Sequence, residues 1–234
     1  GFKTFGLAKD FSVTVTLPIS KGASRLISLM ATTALILGAA PAFAQSQTEP
    51  RASTPFTLET DQPRTPEQEA VRFDKADLSF RILPEQKAID AVAVLDFTVL
   101  SPIERMSVEL DTLYTISGIQ VDGQAIPADR WSNPEGRLTI QLPQTLAAGA
   151  TPSVTIAYGG QPRTAVRAPW DGGFVWATAP SGEPWIATAM QLEGCDLLFP
   201  CIDNSNAEPG QVDLKVTVPS NLSAPGNGVL VDKT

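Results

Sequence analysis

The 234-residue chain contains no histidine. That absence excludes Ser-His-Asp and Cys-His catalysis as usually assembled, because both need an imidazole to take up and return a proton. It excludes the common His-based zinc sites for the same reason. Cysteine is scarce as well. The two present, Cys195 and Cys201, cannot complete a four-ligand structural zinc site by themselves. Positive charge is in the minority. With the four bases and one acid of residues 1–44 set aside, 13 basic and 24 acidic residues remain, a net charge of about −11. Nucleic acid calls for basic patches, so it is not an expected partner.

What is there is globular in character, with 43% hydrophobic and 18% charged residues. One apolar run stands out, "LISLMATTALILGAA" at Leu26 to Ala40. It is short for a membrane span of about 20 residues. Lys21 and Arg25 precede it, and Pro41 and Ala42-Phe43-Ala44 follow it. A basic start, an apolar centre and an A-x-A end make residues 21–44 a secretory signal peptide, cut before Gln45. No Cys follows the run directly to take a lipid anchor. An exported protein is expected, periplasmic or secreted, with no membrane attachment after cleavage. Residues 1–20 begin with Gly rather than Met and read as upstream sequence foreign to the native protein. Residues 45–76 read as a flexible, Pro-rich leader, since Gln45 to Gln68 is polar and carries Pro50, Pro55, Pro63 and Pro66.

Residues 77–234 are patterned as strands. "LSFRIL", "AIDAVAVLDFTVL", "MSVELDT", "LYTISGIQVDGQAI", "RLTIQL", "SVTIAYGG", "GFVWATA", "PWIATAM" and "VDLKVTVP" follow one another with Pro and Gly between them. Asp122-Gly123 marks a tight turn, and "PSGEP" joins a hairpin. No long amphipathic helix interrupts the series. The expected fold is all-β, an antiparallel sandwich or open, saddle-like barrel.

Three groups of residues could carry chemistry. Cys195 and Cys201 lie six apart in an exported chain, which suggests a disulfide. On one extended strand, however, their Cα atoms would stand about 20 Å apart, and a disulfide needs less than about 7 Å. Only a tight turn would close the gap, and "CDLLFPC" shows no two-residue turn signal. Buried free thiols are the favoured reading. Trp170, Phe174, Trp176 and Trp185 cluster closely; they fill a core or, if they face solvent, stack on a ligand. Core is favoured. Glu183, Glu193, Asp196 and Asp203 could in principle supply a glycosidase carboxylate pair, but nothing in their spacing is diagnostic.

Taken in order, the same residues resemble a known family. Gly173-Phe174, Gln191, Glu193-Gly194, Phe199-Pro200 and Asp203 fall in the sequence and spacing of the N-terminal domain of the aminopeptidase N family of zinc metallopeptidases. "VELDTLYTISGIQVDG" is similar to the family's early strands. "LKVTVPSNLSAPGNGVLV", with Pro219 and Asn227-Gly228, is similar to a later one. The likeness runs from about Asp77 to Thr234. It implies that Gln191 reaches into the active-site cleft and helps hold the free α-amine of a peptide substrate, a role that suits an amide oxygen as acceptor. It implies a departure at Ala189, where many relatives carry Gln, and so a pocket of different shape. Relatives that work in the cytosol carry cysteines at the places of Cys195 and Cys201, which again implies free thiols. The family's catalytic apparatus, a G-x-M-E-N segment and a His-Glu-x-x-His helix holding zinc, has no counterpart here. The chain is therefore expected to be the front piece of a zinc aminopeptidase. Zinc belongs to the full-length enzyme, the missing catalytic domain is its partner, and this chain has no catalytic residue or metal ligand of its own and no activity alone. The alternative is a complete, non-catalytic periplasmic binding module.

Overall fold

The computed structural model describes residues 52–233. The upstream leader, the signal peptide and the first residues of the Pro-rich leader lie outside the described residues.

Eleven strands carry the described chain: β1 Val71–Leu83, β2 Ala88–Val99, β3 Ile103–Glu109, β4 Thr115–Val121, β5 Gln124–Ala125, β6 Trp131–Ser132, β7 Arg137–Leu146, β8 Ser153–Gly160, β9 Gly173–Thr178, β10 Pro184–Ala189 and β11 Gln211–Thr217. They form a six-stranded sheet in the order β11-β1-β2-β8-β4-β5, a three-stranded sheet β3-β7-β6, and a two-stranded ribbon β10-β9. The all-β expectation is borne out. Among the described residues the named strands pair antiparallel except β11, which runs parallel to β1 at the sheet edge, and an isolated bridge from Thr164 to Phe174 is also parallel.

Alternation sets which face is buried. In β2, Ala91, Ala93, Leu95, Phe97 and Val99 point inward, and the residues between them are more exposed. Val154, Ile156 and Tyr158 of β8 continue that face, and Leu138, Ile140 and Leu142 of β7 oppose it from the smaller sheet within a single core cluster. Each large apolar side chain buried in this way contributes roughly 1.5–3 kcal/mol. At the Asp122-Gly123 turn both residues have positive φ, 51° and 77°, the backbone a tight hairpin turn requires. Pro143 interrupts β7 between its pairings with Ile103 and Arg105, where the register shifts and no ladder N–H is demanded.

The chain ahead of residue 77 differs from the flexible leader expected. β1 begins at Val71, and a register shift between Phe73 and Lys75 hides its alternation from the sequence. Before it, the short helix α1 Pro66–Glu69 is held by a capping box: Gln68 N–H donates to Thr65 Oγ1 (3.3 Å) and Thr65 N–H to Gln68 Oε1 (2.8 Å). Phe56 lies under the Arg137 guanidinium, 3.7 Å from ring centroid to Cζ. Polar composition suggested a linker, yet these polar groups are spent on specific partners in the domain.

Candidate functional site

β10 ends at Ala189 and a turn at residues 191–193 follows, so Gln191 stands just past the open end of the ribbon, opposite the 179–183 hairpin turn. The ribbon has two unlike faces. Phe174, Trp176 and Ile186 point to the core; Phe174 is 1% exposed, and its ring stacks on Trp176 at 5.3 Å. The opposite face carries Val175, Ala177, Trp185, Ala187 and Ala189, apolar at every position, with Trp185 62% exposed. The core reading of the aromatic cluster thus holds for Phe174 and Trp176. It fails for Trp170 and Trp185, which face solvent because they sit on the loop and on the outer face.

The turn is built so that two side chains leave and one enters. Gln191 and Leu192 are exposed. Leu192 takes a positive φ of 76°, and the turn closes through Gly194 N–H to Met190 C=O at 3.0 Å. Glu193 turns inward, with Oε2 buried against Gly172. Gly194 has φ 111°, and a Cβ there would collide with the Asp203 carboxylate, so glycine is required for two reasons.

Cys195 and Cys201 form a disulfide with Cα atoms 6.2 Å apart, which corrects the free-thiol expectation. The physical reason is a 3-10 turn, Cys195–Leu197, that shortens the path between them. Its carbonyls are held from far along the chain. Tyr114 Oη–H donates to Leu197 C=O (2.7 Å), Tyr158 Oη–H to Leu198 C=O (2.8 Å), and Asp111 N–H to Asp196 C=O (3.0 Å). Cys201 exchanges backbone hydrogen bonds with Glu109 at 3.1 and 2.7 Å, tying the far end of the turn to β3.

Carboxylates gather beneath this turn. Glu109 accepts from Gln68 Nε2 at 2.5 Å and from Asp203 N–H at 3.1 Å. Asp203 accepts from Cys195 N–H and from Thr60 Oγ1–H, both at 3.2 Å. Asp196 is 2% exposed, and its Oδ1 has no hydrogen-bond partner. Burial, reinforced by the charges of Asp203, Asp111 and Glu109, raises the Asp196 pKa to about 9, so it is protonated at neutral pH. Burial also raises Glu109 and Asp203, against the hydrogen bonds they accept. Of the acids named from the sequence, Glu183 stays apart at the hairpin, bonded to Asn221. Asp196 is too deeply buried to meet a substrate. The sequence reading missed Thr60, Glu109 and the two tyrosines. Only the Thr65-x-x-Gln68 capping box was a readable sign that the leader is structured.

Among the described residues, no group of three or more His, Cys, Asp or Glu could hold a metal ion. With no histidine and both cysteines in the disulfide, these residues do not fit a zinc site.

No family model matches the sequence, and neither does any curated protein. Solved structures do match it. An M1 zinc metallopeptidase from Deinococcus radiodurans aligns with a TM-score of 0.60 and 21% identity, over 76% of this chain and 39% of that one. The fold is that of the M1 peptidase N-terminal β domain. A mutant of the same peptidase bound to a Tyr-Ser-Ala substrate aligns equally well, at TM-score 0.60, 21% identity and the same coverage. Native yeast LTA4 hydrolase aligns with a TM-score of 0.54 and 15% identity, over 75% of this chain and 28% of that one. The chain spans less than half the length of these peptidases.

Proposed function

We propose that the chain is the N-terminal domain of an exported zinc-dependent aminopeptidase, and that it caps the cleft in which N-terminal residues are released from peptides. The observation that carries this reading is an exposed Gln191, held in the turn that follows β10 at the open end of a ribbon with an apolar outer face, in a fold shared with zinc peptidases. A peptide ammonium carries N–H donors and needs acceptors; the Gln191 amide oxygen is one. Because only a free chain end presents that ammonium, a contact there favours removal of single N-terminal residues. The outer face of the ribbon, with Trp185 on it, suits contact with a further domain of the same polypeptide. Zinc and the general base belong to that domain, while the residues of this chain bind and orient the substrate.

The test is activity on an amino-acid anilide. Purified residues 45–234 release no aniline and bind no zinc, whereas the whole polypeptide does both. A whole polypeptide with no zinc-dependent release contradicts the reading. A second reading, a non-catalytic binding module, is favoured by the exposed Trp170 and Trp185. It requires that their fluorescence respond to sugars or peptides in the chain alone.

A further inference from the structure

We infer that residues 52–69 act as a brace that fixes the Gln191 turn, with Thr60 as the positioning residue. The inference rests on the reading of Gln191 as a substrate contact and extends it to a segment that composition alone marks as a linker.

Thr60 touches the turn at both ends. Its backbone N–H donates to Leu192 C=O at 3.4 Å, next to Gln191. Its hydroxyl donates to Asp203 Oδ1 at 3.2 Å, the same oxygen that accepts Cys195 N–H. One residue therefore holds the Leu192–Glu193 peptide and the carboxylate that pins the exit of the turn. Leu192, with φ 76°, holds a left-handed conformation that a leucine does not favour, so outside contacts must maintain it.

The brace is anchored on both sides of Thr60. On its C-terminal side, Asp61 Oδ1 accepts Ser205 N–H and Oγ–H, both at 3.0 Å, and Gln62 C=O accepts Asn204 Nδ2–H at 3.1 Å. These contacts clamp residues 61–62 to the chain just after Asp203. Farther along, Gln68 is 1% exposed and donates to Glu109, which in turn accepts Asp203 N–H. On its N-terminal side, Ser53 Oγ–H donates to Asp111 Oδ2 at 2.5 Å, and Thr54 Oγ1–H donates to Glu135 C=O at 2.7 Å. The segment thus runs from the loops around Asp111 and Glu135 to the turn that follows β10, and Asp203 is the point where its contacts converge. A linker would leave these polar groups in water. Here they fix the backbone on which Gln191 is mounted.

The test uses Thr60→Val, Thr60→Ser and Gln191→Ala in the whole polypeptide. Valine keeps the shape and the backbone N–H and deletes the hydroxyl. Amide hydrogen exchange at Gly194 and Cys195 is expected to quicken about ten-fold or more in Thr60→Val, with β2 amides unchanged and Thr60→Ser close to wild type. KM for an amino-acid anilide is expected to rise about 3- to 10-fold with kcat nearly unchanged. That rise should vanish when Thr60→Val is added to Gln191→Ala, because the positioned group is gone. Unchanged exchange at Gly194 and Cys195 overturns the brace. A KM rise that persists in the double variant overturns its action through Gln191. Gln191→Ala with wild-type KM removes the substrate contact itself, and the exchange data then still decide whether Thr60 holds the turn.

Discussion

Replacing Asp196 with Asn should change how stability depends on pH, and by a measurable amount. Asp196 is 2% exposed, and its pKa is raised from 3.8 to about 9. A carboxyl whose folded pKa lies above its unfolded value contributes stability fully below the unfolded value. That contribution is lost as pH rises through the folded one, since the folded chain keeps a proton that the unfolded chain releases. One such proton gives a slope of about 1.36 kcal/mol per pH unit. Between pH 5 and pH 8 the wild-type chain should therefore lose up to about 4 kcal/mol through this residue, an upper bound because relaxation and water entry soften burial. Burial raises Glu109 and Asp203 in the same sense, so part of the slope remains in any single variant. Asn cannot ionise. Urea midpoints of the oxidised chain at the two pH values give the answer. Asp196→Asn should lose less stability than wild type on going from pH 5 to pH 8, and gain on it most at pH 8. Parallel pH profiles for the two proteins would refute the reasoning and imply that Asp196 titrates normally.

Two further outcomes follow from the same turn. Replacing both Cys195 and Cys201 with Ser opens a cross-link of sequence separation six. Chain entropy for so short a loop sets the cost at about 2 kcal/mol, read as a lower urea midpoint that added reductant reproduces in the wild type. Tyr114→Phe removes the donor to the Leu197 carbonyl and should cost about 1–3 kcal/mol, with the circular dichroism of the β sheet retained.

The strands were legible because their burial is one-sided. β8, Ser153–Gly160, has the same limits in sequence and structure, and the Asp122-Gly123 turn lies where its residue types require. β1 was half legible: the shift between Phe73 and Lys75 breaks the period-two pattern, so only the part after the break reads as a strand. The parallel edge strand β11 was legible as a strand, but partner and direction depend on chain path rather than on local pattern. The disulfide was misjudged for a related reason. The 3-10 turn between the cysteines contains no turn-forming dipeptide and is held by Tyr114 and Tyr158, distant in sequence. The leader misled through composition. Proline and polar residues usually mark linkers, and nothing local reveals that Thr60 and Gln68 reach Asp203 and Glu109. Gln191 was singled out only through the ordered resemblance. Its exposure at a fixed turn could not be read from any single motif.

The central claim is that Gln191 meets the substrate's free α-amine. It is tested most directly by the kinetics of Gln191→Ala in the whole polypeptide with an amino-acid anilide. Loss of a hydrogen bond to a charged group predicts a fall in kcat/KM of about ten-fold or more, carried mainly by KM. Kinetics indistinguishable from wild type would contradict the claim.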